Sequence, residues 1–82
     1  MSVKEKVLLI LREVKPSKNL ENVPDIIEGG YLDSFDLMGL ISSLSEQFSI
    51  EIDVDDMTPE NFDSVEAIVA MVDRLKQGGI QQ

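Results

Sequence analysis

The sequence of 82 residues contains neither cysteine nor histidine. Their absence excludes thiolate nucleophiles, imidazole bases, disulfide bonds and the commonest zinc ligands. The composition therefore argues against most self-contained enzymes. A chain of this length has room for one domain with a small core.

Long apolar runs are also missing. The run from Val7 to Leu11 is far too short to span a bilayer, and the N-terminus lacks the apolar core of a secretory signal. We therefore expect a cytoplasmic protein that has no membrane partner.

Basic residues are absent from the middle of the chain. Between Asn19 and Asp73 there are fourteen Asp or Glu residues and no Lys or Arg, and the formal net charge is -9. Such a stretch repels phosphate backbones and attracts basic protein surfaces. We expect no nucleic-acid binding and favour basic protein partners, although acidic surfaces also serve simply to keep small domains soluble.

Capping signals and apolar periodicity predict the first two of four helices. The first begins at the Ser2–Glu5 capping box and ends at about Val14, before Pro16. The second begins at or next to Ser34, after a long connection that lies over the core. Its core-facing stripe consists of Leu37, Leu40, Ile41, Leu44 and Phe48.

The last third of the chain predicts a short helix and a long one. Thr58-Pro59 starts the short third helix, and Asp63 has capping-box spacing for the fourth, which should end before Gly78. The segment 49–53 is predicted to be an extended connection. Together the signals predict an all-α fold, a small four-helix bundle with three longer helices, one short helix and a long first loop. We expect one domain over residues 1–77 and a flexible tail over residues 78–82.

Ser34 is the candidate for chemistry, because it lies between two acids at a helix start after a Gly-Gly turn. A capping role alone would also explain a serine at this position. As a hydrolase nucleophile it would need a base, but the chain has no histidine and no Ser-x-x-Lys pattern surrounds the serine. We therefore expect no catalysis by this chain.

A calcium-binding loop is one interpretation of three closely spaced acids, Asp53, Asp55 and Asp56. An EF-hand loop counted from Asp53 or Glu51 has neither the glycine at position six nor the glutamate at position twelve. We expect no metal site.

Residues 30–37, Gly-Tyr-Leu-Asp-Ser-Phe-Asp-Leu, resemble the phosphopantetheine attachment motif of acyl carrier and peptidyl carrier proteins. The resemblance covers nearly the whole chain, because residues 57–65, Met-Thr-Pro-Glu-Asn-Phe-Asp-Ser-Val, are similar to the junction of helices three and four in stand-alone carriers. It implies a right-handed four-helix bundle with a long first loop. It also implies that a phosphopantetheinyl transferase attaches 4'-phosphopantetheine from coenzyme A to Ser34, and that the thiol of this arm carries cargo as a thioester.

The resemblance also implies where partner enzymes bind. Asp33, Asp36 and Glu46 would meet basic docking surfaces on the transferase, on a cargo-loading ligase or acyltransferase, and on downstream synthases. Phe35 and Met38 would add apolar contact. We expect the carrier to be a monomer.

The cargo class stays open between fatty acyl, polyketide, aminoacyl and D-alanyl groups. Carriers of fatty acid synthesis have more acids along the exposed side of helix two, whereas this helix has Asp36 and Glu46. Phe35 after the serine resembles D-alanyl carrier proteins and some aminoacyl carriers. Small residues stand between the acids of helix two, namely Gly39, Ser42, Ser43 and Ser45.

The alternative function is an acidic helical adaptor that binds a basic partner without being modified.

Overall fold

The computed structural model describes the backbone of residues 1–80 and the side chains of residues 1–77. This part of the chain forms four α-helices and one 3₁₀ turn, and it contains no strand. The prediction of an all-α bundle with three longer helices and one short one is confirmed. The elements are α1 (Val3–Val14), α2 (Ser34–Phe48), the 3₁₀ turn (Val54–Asp56), α3 (Pro59–Phe62) and α4 (Val65–Ile80).

One apolar core joins the helices, because α1 packs against both α2 and α4, while α3 packs against α4. Burial of a large apolar side chain contributes about 1.5–3 kcal/mol, so these contacts are the main source of stability. The largest fully buried side chains are those of Phe62, Ile10, Ile26, Leu40, Leu44, Ile68, Met71, Val7, Val65 and Val72.

The connection between α1 and α2 lies over this core, as the sequence predicts. Leu20, Ile26 and Leu32 are buried, and Val23 and Ile27 pack against the core from its margin. The loop is therefore held by side-chain burial at several points along its length, and its last buried residue lies just before α2.

The predicted end of α4 is wrong. The helix does not end before Gly78, because its backbone continues through both glycines to Ile80. Glycine costs about 1 kcal/mol in a helix interior, but it does not by itself end one. The backbone of residues 78–80 is helical, and residues 81 and 82 lie outside the described part of the chain, so the flexible tail over residues 78–82 stays a prediction.

The caps of α3 and α4 also differ from the prediction. Ser64 caps α4, since its Oγ accepts a hydrogen bond from the N–H of Ala67 at 3.0 Å. Asp63 has the spacing of a cap but binds the long loop instead. Pro59 occupies the first turn of α3 as predicted, whereas Thr58 makes no side-chain capping hydrogen bond.

None of the helices in the described part of the chain is long and apolar enough to cross a membrane. That part of the chain also has no group of three or more carboxylate side chains arranged to hold a metal ion.

Candidate modification site at the start of α2

The approach to α2 is a hydrogen-bonded turn. The carbonyl of Ile26 accepts from the N–H of Tyr31 at 3.1 Å, and the carbonyl of Ile27 accepts from the N–H of Gly30 at 3.1 Å. Leu32 then inserts into the core and is only 6% exposed. The turn and this buried side chain fix where the backbone enters the helix.

The two glycines of the turn are needed for different reasons. Gly30 has a φ of 78°, in the left-handed region that side-chain-bearing residues rarely adopt. Gly29 is needed for space, because an added Cβ would lie 2.6 Å from the carbonyl oxygen of Asp25 and 2.9 Å from Cε2 of Tyr31.

A reciprocal capping box starts α2. Asp33 is the N-cap, and its Oδ1 accepts from the N–H of Asp36 at 2.8 Å. In return, Oδ2 of Asp36 accepts from the N–H of Asp33 at 3.3 Å. Ser34 is the first helical residue and is exposed, so its hydroxyl is not the capping group. The interpretation of Ser34 as a capping residue alone is therefore wrong.

This position suits a covalently attached phosphate ester. An exposed hydroxyl can be reached by a separate enzyme, and the backbone N–H groups and dipole at a helix start favour a negative charge. Apart from Gly30 and its two chain neighbours, no residue has an atom within 4 Å of the position a Cβ would take at Gly30, so this side of the approaching turn is open. Ser34 therefore fits the phosphopantetheine arm that the sequence motif implies.

Asp36 is already paired within the chain. Nζ of Lys15, at the C-cap of α1, donates to Oδ2 of Asp36 at 3.1 Å, and the Asp36 side chain is only 14% exposed. The hydrogen bond from Lys15 lowers the pKa of Asp36, against the opposing effect of burial, and the backbone N–H of Asp33 lowers it further. This carboxylate therefore joins α1 to the start of α2.

The other predicted contact residues divide into two groups. Asp33, Phe35 and Met38 surround Ser34, and the two apolar side chains are 83% and 70% exposed. Glu46 is also exposed, but it lies twelve residues along the helix, or about 18 Å at 1.5 Å per residue. A partner that contacts Glu46 together with the others must cover most of the length of α2.

Sequence reasoning missed Lys15 and Asp63 as residues that organise this site. Their partners lie 21 and 36 residues away in the chain, so no local pattern marks them. It also missed the 3₁₀ turn, where Val54 is 78% exposed among acids. The alternation of acids and apolar residues after Ser49 gave no sign of helical periodicity.

Comparison with known proteins identifies the family. A model described as "Phosphopantetheine attachment site" matches residues 25–72, from the loop before Ser34 to a point inside α4. A D-alanyl carrier protein of Staphylococcus saprophyticus subsp. saprophyticus is 28% identical over 78 residues, which cover 93% of this chain and 100% of that protein.

These matches confirm three predictions made from the sequence: membership of the carrier protein family, no enzymatic activity of the carrier itself, and 4'-phosphopantetheine as the covalent cofactor. The family model spans more than half of the chain, and its match includes the capped start of α2 and the turn before it. The chain therefore belongs to the phosphopantetheine attachment site family of carrier proteins.

Proposed function

We propose that Ser34 receives the 4'-phosphopantetheine arm and that residues 1–77 form a single carrier domain. One observation carries the assignment of Ser34. The serines at the starts of α1 and α4, Ser2 and Ser64, both use their hydroxyls to cap those helices. At the start of α2 Asp33 performs that task, and Ser34 presents an exposed hydroxyl.

The proposed modification is a phosphoryl transfer. Oγ of Ser34 attacks the phosphorus that bears the pantetheine in coenzyme A, and the phosphoanhydride bond breaks as the nucleotide leaves. The hydroxyl proton passes to a base of the transferase. The carrier contributes the position of the hydroxyl, and the transferase contributes the chemistry.

We propose that partner enzymes dock beside Ser34. The transferase, a cargo-loading ligase or acyltransferase, and downstream synthases would meet the exposed Asp33 with basic side chains and cover Phe35 and Met38 with apolar ones. Asp36 contributes less free charge, since Lys15 already binds it. We further propose a cytoplasmic monomer that binds neither nucleic acid nor membranes.

Aminoacyl cargo, with D-alanine as the first candidate, is the specific part of this proposal. Two observations support it: the similarity to a D-alanyl carrier protein over that protein's whole length, and Phe35 directly after the serine. The test offers the pantetheine-bearing carrier, with ATP, to a D-alanine ligase and to a fatty-acyl ligase. We expect a D-alanyl thioester from the first; loading by the fatty-acyl ligase alone would assign the carrier to acyl biosynthesis.

The intact mass of the protein tests the modification itself. The wild type, Ser34→Ala and Ser42→Ala are incubated with coenzyme A and a broad-specificity phosphopantetheinyl transferase. Ser42 is the matched control, because it is an exposed serine on the same helix. We expect one added arm on the wild type and on Ser42→Ala, and none on Ser34→Ala. No addition to the wild type would favour the unmodified acidic adaptor.

A further inference from the structure

Asp63, at the junction of α3 and α4, binds three consecutive amides of the long loop. Its Oδ1 accepts from the N–H of Ile27 at 2.9 Å and from that of Glu28 at 3.2 Å. Its backbone carbonyl accepts from the N–H of Ile26 at 2.8 Å. One residue thus satisfies three loop donors.

These bonds hold the segment that leads to the modification site. Both backbone groups of Ile26 are hydrogen-bonded, since its N–H donates to Asp63 and its carbonyl accepts from Tyr31. Tyr31 is three residues before Ser34, and the side chain of Ile26 is fully buried. A continuous set of contacts therefore connects Asp63 to the backbone that enters α2.

The Asp63 carboxylate accepts hydrogen bonds from the loop and does not cap α4. Asp63 directly precedes Ser64, and Ser64 caps α4, so Asp63 is not required for that helix. A carboxylate oxygen is suited to two N–H donors because charge-assisted hydrogen bonds are stronger than neutral ones. The two amides have no helical or sheet partner at this turn, and loss of Oδ1 would leave the partly buried amide of Ile27 without its acceptor and the exposed amide of Glu28 bonded to water.

We propose that Asp63 is a positioning residue for arm transfer, which fixes residues 26–31 so that Ser34 is presented in one orientation. The part that concerns transfer rests on the role proposed for Ser34. The part that concerns the loop does not depend on it. Asp63 acts at a distance and does not touch the reacting atoms.

Three variants separate this role from general stability. Asp63→Ala removes the acceptor, whereas Asp63→Asn keeps an oxygen at the same position and removes only the charge. Asp73→Ala is the control, since Asp73 is an exposed acid on α4. All measurements are made well below the thermal transition of each variant.

Amide hydrogen exchange tests the loop. In Asp63→Ala, the amides of Ile27 and Glu28 should exchange at least about tenfold faster, because a hydrogen bond to a charged group contributes roughly that factor or more to closure. The amides of α1 should keep their wild-type rates. Asp63→Asn should restore most of the protection, and Asp73→Ala should resemble the wild type.

Steady-state kinetics of arm transfer tests the presentation of Ser34. A misplaced hydroxyl should lower kcat by about tenfold at nearly constant KM, since transfer depends on close alignment of the reacting atoms. Partial unfolding would instead raise the apparent KM, because it lowers the concentration of folded substrate. We expect the kcat effect in Asp63→Ala and its recovery in Asp63→Asn.

Three results would overturn the inference: wild-type exchange at Ile27 and Glu28 in Asp63→Ala, wild-type kcat in that variant, or equal defects in the Asn and Ala variants. If the wild type accepts no arm at all, the role of Ser34 fails. Hydrogen exchange then still decides whether Asp63 anchors the loop.

Discussion

Asp33 performs two tasks that substitution can separate. Its Oδ1 caps α2 by accepting from the N–H of Asp36 at 2.8 Å, and its exposed charge lies next to Ser34. Asn keeps the capping oxygen but removes the charge, whereas Ala removes both. Asp33→Ala should therefore lower the free energy of unfolding by about 1 kcal/mol, and Asp33→Asn should stay close to the wild type. For a domain of this size, the loss corresponds to a fall in Tm of about 4–8 °C.

Thermal unfolding and transferase binding together test this reasoning. We expect Asp33→Ala alone to melt earlier, and both variants to associate more slowly with a basic partner at low salt. Glu46→Gln is the control for position. It also removes one negative charge, but at a residue about 18 Å along the helix from Ser34, so it should slow association less. If Asp33→Asn melts as early as Asp33→Ala, the hydrogen bond is not the stabilising element. Unchanged association rates would refute a docking role for this charge.

Two further predictions concern the packing of residues around the site. Because the folded pKa of Asp36 is lowered from 3.8, its bond to Lys15 stabilises the fold above that pH and is lost as the pH falls through the folded pKa. Lys15→Met should therefore reduce stability to urea at about pH 7, and this loss should shrink as the pH falls below 3.8; a loss that does not change with pH would contradict the assignment. Gly29→Ala should destabilise more than Gly30→Ala in thermal unfolding, since an added Cβ meets the backbone oxygen of Asp25, whereas Gly30 faces only the left-handed φ penalty of about 1–2 kcal/mol. The reverse order would refute this explanation.

Local interactions made much of the fold predictable. The capping boxes of α1 and α2 join residues three apart, so the Ser2–Glu5 and Asp33–Asp36 spacings were visible in the sequence. Apolar residues at helical spacing gave the buried faces correctly, as at Leu40 in α2. Such features depend on a few neighbouring side chains and need no knowledge of the tertiary structure.

Interactions between distant residues were not predictable in this way. Asp63 and Ser64 are adjacent and both are suitable caps, and only the position of the loop amides decides that Asp63 binds them instead. Likewise, Asp36 looked like a free docking charge because its partner, Lys15, is 21 residues away. The end of α4 was missed for a related reason, since a Gly-Gly pair permits a helix to end but does not require it.

The pattern of ion pairs links the charge of the chain to its proposed partners. Within residues 1–77 the side chains form two ion pairs, Lys4–Glu66 at 4.0 Å and Lys15–Asp36 at 3.1 Å. The first is largely exposed and contributes little to stability. We therefore expect most of the acids to repel one another in the isolated carrier, to weaken the fold and to draw basic partners toward it. A basic partner bound beside Ser34 would relieve this repulsion, so binding should stabilise the carrier most at low salt, where screening is weakest.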